Sequence, residues 1–193
     1  MSTSRDRVLV GLRNPGLDYV GTRHNVGYEV VEVLAFDHKI ELGNGPSGVR
    51  CDVATVRVDD TRLMLAAPQT YMNESGAAVR ALLDYHSIED SDLLVIHDDI
   101  DLPFGKVKVA FGGGAGGHNG LRSVIQHLGH RDFHRLKIGV GRPPGRMDPA
   151  VYVLNRFGKS EREEMDIVVS NAADIAHLWI ADPEDARQRA GEI

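Results

Sequence analysis

Cysteine is nearly missing from this sequence: Cys51 is the only one in 193 residues. One thiol excludes an intrachain disulfide and any zinc site built on several cysteines. Long apolar runs are missing too, and none approaches the roughly 18 residues that a membrane span needs. The start, MSTSRDRVLV, reaches its apolar stretch only after Arg7, and that stretch is short, so no secretory leader is expected and the cytoplasm is the expected compartment. An activated nucleophile is lacking as well. No Gly-x-Ser-x-Gly elbow occurs, Cys51 falls in an alternating stretch where packing is its expected role, and Ser75 falls in the first turn of a helix. If the chain is a hydrolase, water is the attacking group.

What is present fits a folded domain. Apolar residues make up 42% and charged residues 26% of the chain, which excludes a disordered protein. The length points to one domain, residues 1–193. The net charge of −6 is unevenly spread. Between Lys106 and Arg146, eight cations face one acid, Asp132, giving +7 and leaving −13 for the rest. Such asymmetry points to an anionic partner at one face, the alternative being a solvated basic surface.

Strand and helix patterns alternate along the chain. Arg7–Leu12 reads as a buried strand running into an Asn-Pro-Gly turn. Asn25 reads as the cap of a helix to about Phe36. Val49–Val58 and Arg62–Ala66 form a hairpin after a Gly43–Gly48 loop. Asn73 opens a helix through Leu83, and Asp92–His97 is the strongest buried strand. Lys106–Phe111 and Arg135–Val140 are further strands, with a helix from Leu121 to Leu128 between them. Ser160 and Glu163 suggest a capping box for a long helix to Ala181, and Asp182-Pro183 opens a last short helix. The expected architecture is a single α/β domain with a mixed, twisted β-sheet sandwiched between helices.

Four places carry candidate chemistry. The loop GGGAGGHNG (Gly112–Gly120) precedes a helix, where backbone N–H groups favour anions. No Gly-Lys-Ser/Thr follows, and no acid stands where a dinucleotide fingerprint needs one. A flexible gate is the plainer alternative, although it leaves His118 and Asn119 unexplained. HDDIDLP (His97–Pro103) ends the best strand, where open α/β sheets place ligands. Its acids suit a catalytic carboxylate, a Mg²⁺ site or a simple turn cap. His24, in Arg23-His24-Asn25, follows the first strand and suits a general base, the alternative being a structural imidazole. Asn14 and Asn73 are explicable as a turn residue and a helix cap. Together with Asn119 they put three non-titrating amides at three strand-to-helix joins, which suits an amide-rich substrate such as a peptide.

GLRNPG (Gly11–Gly16), TRHNVG (Thr22–Gly27), PQTYMNESG (Pro68–Gly76), HDDIDLP, GGGAGGHNGL and RLKIGVGRP (Arg135–Pro143) resemble, in order and spacing, the motifs of the bacterial peptidyl-tRNA hydrolase family. The resemblance covers about residues 8 to 180. It implies a monomeric, metal-free enzyme without cofactor that cleaves the ester between a peptide and the tRNA 3′ end. By the resemblance, His24 is the base and Asp98 its orienting partner. Asn14, Tyr19, Met72, Asn73 and Asn119 surround the peptidyl-adenosine end, and Lys108, Lys137 and Arg146 face the acceptor arm. Arg13, Ala67 and Ala110 depart from the usual pattern, the last putting the phosphate clamp in doubt. Two rivals of other classes are a non-catalytic RNA-binding module and a metal-dependent phosphate-ester enzyme.

Overall fold

In the first strand, successive apolar side chains point to opposite faces, and both faces are covered: Leu9 packs on one side, Val8 and Val10 on the other. This explains why the strand reads as a continuous apolar run, as strands of parallel sheets buried on both faces do. The computed structural model describes residues 5–192; residues 1–4, on which the leader reading fell, and residue 193 lie outside the described residues.

Seven strands form one sheet: β1 (Arg5–Gly11), β2 (Gly43–Asn44), β3 (Cys51–Val58), β4 (Thr61–Pro68), β5 (Leu93–Asp99), β6 (Val107–Phe111) and β7 (His134–Gly139). Their order is β2-β3-β4-β1-β5-β7-β6. The four central strands β4, β1, β5 and β7 are parallel. The edge strands β2, β3 and β6 run antiparallel to their neighbours, so the sheet is mixed as expected.

Among the described residues the α-helices are α1 (Val26–Asp37), α2 (Ser75–His86), α3 (Asn119–Leu128), α4 (Pro149–Val153), α5 (Lys159–Ala181) and α6 (Pro183–Ala190). α1, α5 and α6 bury Val30, Leu34, Val169, Trp179 and Ala186 against one face. α2 and α3 bury Val79, Leu82, Leu83 and Val124 against the other. Because β1 leads into α1 and β4 into α2, neighbouring chains leave the sheet toward opposite faces, which opens a crevice at the strands' carboxyl ends.

Several local expectations shift. The Asn25 side chain does not cap α1. A 3₁₀ turn, Met72–Glu74, precedes α2, so Asn73 lies just before the helix and is exposed. The cap of α5 falls at Gly158, whose N–H donates to Glu161 Oε2 at 2.7 Å, two residues before the Ser160–Glu163 box. Asp182 caps α6 as expected, accepting from the N–H groups of Glu184 and Asp185. α4 shows no helical period in its five residues, and only Asp148-Pro149, an N-cap and first-turn proline like those of α6, marks its start. Cys51 is buried, and burial pushes its thiol up to about 12, consistent with packing rather than reactivity.

Candidate active site

The segment between β1 and α1 is folded by its own polar side chains. The Asn25 amide grips the backbone of Asn14: Oδ1 accepts from its N–H at 2.8 Å and Nδ2 donates to its carbonyl at 2.9 Å. The buried Arg23 guanidinium donates to the carbonyls of Tyr152, Asn155 and Arg156 and to Glu161, and stacks on Tyr152. His24 is thus held between two anchored neighbours. Gly27 lets the start of α1 lie directly on β5, since a Cβ there would overlap the carbonyl oxygen of Ile96. That close approach brings the turn before α1 to the end of β5, where Asp98 stands.

The meeting of these two residues is geometric fact. His24 Nδ1 lies 2.9 and 3.0 Å from the two oxygens of Asp98, and both side chains are buried. A second imidazole joins them: His118 Nε2 lies 2.8 Å from Asp98 Oδ1. The His118 tautomer follows from its other nitrogen. Nδ1 accepts from the N–H groups of Gly120 and Leu121, capping α3, so in the neutral ring the proton sits on Nε2 and is donated to Asp98. Burial opposes ionisation of Asp98, but the two imidazoles outweigh it and hold the carboxyl well below the usual range. Burial would lower His24, but the Asp98 charge and hydrogen bond prevail and raise it above its ordinary value. With Nδ1 donating to Asp98, His24 keeps its lone pair on Nε2.

His24, Asp98 and His118 are also the group of described residues that could hold a metal ion. The hydrogen bonding argues against that use, because His118 would have to give up its Nε2 proton while Nδ1 already accepts two bonds. Asp99 and Asp101, the other acids of the motif, are committed elsewhere. Asp99 accepts from the N–H of Asp101 at 2.8 Å and pairs with Lys137 at 3.3 Å, and Asp101 pairs with Arg142. The turn-cap alternative therefore describes Asp99, and among the described residues Asp98, Asp99 and Asp101 are not gathered as one group of ligands.

His24 borders two hollows. One, of about 270 Å³, is lined by Asn14, Tyr19, His24, Met72, Asn73 and Asn119, which brings the whole expected substrate set together. Asn14 Oδ1 accepts from the Met72 N–H at 2.7 Å and Asn119 Oδ1 accepts from Arg122, which orients both amides with their Nδ2 hydrogens left for a ligand. Tyr19 sits edge-on to Tyr71 at the rim. The other hollow, of about 410 Å³, lies between Asp98, the glycine loop, Lys137 and α4.

The basic stretch does not form one surface. Lys108 and Arg146 are exposed, and Lys108 stands across from Lys137 in the β6–β7 register. Arg135, by contrast, is fully buried on Phe133, and its guanidinium donates to the carbonyls of Gly113 and Gly114, each at 2.6 Å. It anchors the glycine loop from beneath, so one of the eight cations faces inward. The alternation of Arg135, Leu136, Lys137 and Ile138 puts Arg135 on the same face as Lys137, so its burial could not be read from the sequence. Arg13 reaches Asp52 at 2.6 Å and the Pro68 carbonyl at 3.0 Å, and Asp52 lies across from Ala67. Through Asp52, Arg13 is thus linked to the strand pair that carries Ala67.

Among the described residues, no serine or threonine lines either hollow beside His24. Ser75 Oγ donates to the Met72 carbonyl and Ser123 Oγ accepts from the Gly76 N–H, so both are structural. Fold and site together define a hydrolytic enzyme of mixed α/β build. Residues 8–192 match the family model described as peptidyl-tRNA hydrolase, and the chain belongs to that family. The peptidyl-tRNA hydrolase of Frankia alni is 46% identical over 175 residues, covering 91% of this chain and 88% of that one. The Mycolicibacterium smegmatis enzyme of the same name is 47% identical over 178 residues, covering 90% and 91%. A crystal structure of peptidyl-tRNA hydrolase from Acinetobacter baumannii superposes with a TM-score of 0.90 at 33% identity, covering 98% of this chain and 96% of that chain. The activity is hydrolysis of peptidyl-tRNA.

Proposed function

We propose that His24, oriented by Asp98, takes a proton from the water that attacks the ester carbonyl joining peptide to tRNA. The single observation that carries this reading is the Nδ1–carboxylate contact, which leaves Nε2 as the basic nitrogen beside the amide-lined hollow. The attack forms a tetrahedral oxyanion, for which Asn73 is the foremost donor, with Asn14 and Asn119 holding the peptide amides. The bond to the ribose oxygen then breaks, the imidazolium returns its proton to that oxygen, and a peptide carboxylate and a free tRNA 3′ hydroxyl leave. Tyr19 and Met72 border the terminal adenosine. Lys108, Lys137 and Arg146 contact phosphates of the acceptor arm, Lys137 exchanging Asp99 for a phosphate.

A positioned base contributes about 10²–10⁴-fold, or roughly 3–5 kcal/mol. An oxyanion donor adds about 3–4 kcal/mol. An ester to ribose is activated enough for these two terms to suffice without metal or cofactor. The enzyme works as a monomer in the cytoplasm, with residues 1–193 as one domain; no helix among the described residues is long and apolar enough to cross a membrane.

Hydrolysis of N-acetyl-aminoacyl-tRNA, compared with the free-amine form, tests the reading. The blocked substrate is expected to be cleaved preferentially, and activity is expected to survive EDTA. His24→Ala should lower kcat by about 10²–10⁴-fold with tRNA affinity nearly intact. A variant retaining near-full rate removes His24 from the role, and loss in EDTA restored by Mg²⁺ favours the metal-dependent alternative.

A further inference from the structure

The ladder between β1 and β4 ends at Val10 and Ala66. Beyond it, among the described residues, no backbone–backbone hydrogen bond joins residues 12–16 to residues 69–74. Yet these two stretches carry Asn14 and Asn73, which line the same amide hollow. Side chains replace the missing ladder with two ties in succession. Asn14 Oδ1 accepts from the Met72 N–H at 2.7 Å, and one residue earlier Arg13 Nε donates to the Pro68 carbonyl at 3.0 Å.

Arg13 is itself held on three sides. Its Nη2 donates to Asp52 Oδ2 on β3 at 2.6 Å, and its guanidinium lies 4.3 Å from the centre of the Tyr28 ring on α1. The other oxygen of Asp52 accepts from Gln69 Nε2, also at 2.6 Å. One carboxylate therefore fixes the side chain just before Asn14 and the side chain just after Pro68. We propose that Arg13 is a positioning residue for the substrate that acts through Asn14: bridging Asp52 and Pro68, it sets the spacing between the two walls of the amide hollow and aims the Asn14 amide. The proposal rests on the functional reading above, in which that amide holds the peptide.

The plainer use of an arginine near a tRNA substrate is a phosphate contact, and the geometry favours positioning instead. The side chain is only 12% exposed, its charge is met by Asp52, and its fork is spent on two acceptors from different strands. The two roles differ in sign when Asp52 is neutralised. A phosphate contact released from its carboxylate would bind tRNA more tightly, whereas a positioning residue would lose its hold. The kinetic signature differs too. A contact made alike in the ground state and the transition state raises KM when it is disturbed and leaves kcat in place.

The test is steady-state hydrolysis of N-acetyl-aminoacyl-tRNA over a range of salt. Arg13→Gln should raise KM about fivefold, the size of a coupling between neighbouring residues, with kcat within about twofold and the salt slope unchanged. Asp52→Asn should raise KM as well. Arg13→Lys should stay close to Arg13→Gln, because one ammonium does not reproduce the fork. In an Asn14→Ala background, Arg13→Gln should have no further effect. Because Asp52→Asn and Arg13→Lys each report on the bridge, the test stands if Arg13→Gln folds poorly. A salt slope flattened by about 0.7–0.9 in Arg13→Gln, or a lower KM in Asp52→Asn, makes the guanidinium a phosphate contact and overturns the proposal. So does full recovery in Arg13→Lys, or an undiminished effect in the Asn14→Ala background. Unchanged KM with a lowered melting temperature would leave Arg13 a merely structural residue and overturns it equally. Failure of the wild type to cleave this substrate would instead overturn the functional reading.

Discussion

Asp98 receives two imidazoles, and they affect its partner in opposite senses. Its negative charge raises His24 above the ordinary imidazole value, so His24 becomes protonated, and useless as a base, at a pH higher than a free imidazole would. The acid limb of kcat/KM against pH should therefore lie above pH 6.5. Asp98→Asn removes the charge: the limb should move to lower pH while the plateau falls. His118→Asn keeps a residue suited to capping α3 but withdraws the donor from Asp98. The carboxylate becomes more basic, and the limb should move to higher pH. Limbs shifted in the same direction by both variants would contradict this arrangement. His24 and Asp98 are each legible in the sequence as candidates, because both follow strands at the end where α/β sites form. The role of His118 is not, since it depends on a carboxylate 20 residues away arriving within 2.8 Å. Asn25 is similar: its position suggests a cap, and the structure uses its amide to hold Asn14.

Among the elements, α1 and the glycine loop are set by contacts that substitutions can separate. Gly27→Ala forces α1 away from β5, at a cost of about 1–3 kcal/mol by overpacking. Because the same shift draws His24 from Asp98, melting temperature and kcat should fall together; a loss of stability with full turnover would show that the close approach does not set the pair. The basic stretch should divide into two behaviours. Ala substitutions at Lys108, Lys137 or Arg146 should raise KM and flatten the slope of log K against log salt by about 0.7–0.9 for each phosphate no longer neutralised. Arg135→Ala should leave that slope alone, lower stability and speed amide exchange in Gly112–Gly117, because its hydrogen bonds hold the loop. An unchanged slope in the first group would mean that those cations face away from tRNA. Six of the strands are legible in the sequence because each alternates or is apolar throughout, whereas β2 falls in the stretch read as a Gly43–Gly48 loop and is too short to show a period. The cap of α5 is not, because Glu161, rather than Glu163, is the residue whose carboxylate reaches back to the helix start.

Across the whole molecule, two imidazoles outside the His24–Asp98 pair contribute to acid sensitivity. His97 is fully buried, and burial beside His118 holds it well below its ordinary value. His134, between Phe111 and Trp179, is lowered to about 4 by burial and by the nearby Arg7. In the unfolded chain both take up protons near pH 6.5, so the stability tied to their neutral folded forms is complete above that pH and is lost as pH falls toward 4. His24 runs the other way: its contribution is complete below pH 6.5 and is lost as pH rises through its raised folded value. Calorimetry should show melting temperature falling between pH 6.5 and 4, with His134→Gln flattening that part of the curve. A parallel curve would locate the acid sensitivity elsewhere.

The sequence by itself determined all of the strands but β2, most of the helices, the mixed α/β class and the residues able to act, because period, turn chemistry and capping work over a few neighbouring positions. Which ring nitrogen keeps its lone pair, which arginine turns inward and which amide is consumed in holding the backbone were decided only in the folded molecule. His24 and Asp98 are 74 residues apart, and burial, tautomer and charge partner depend on what packs against a group from a distance.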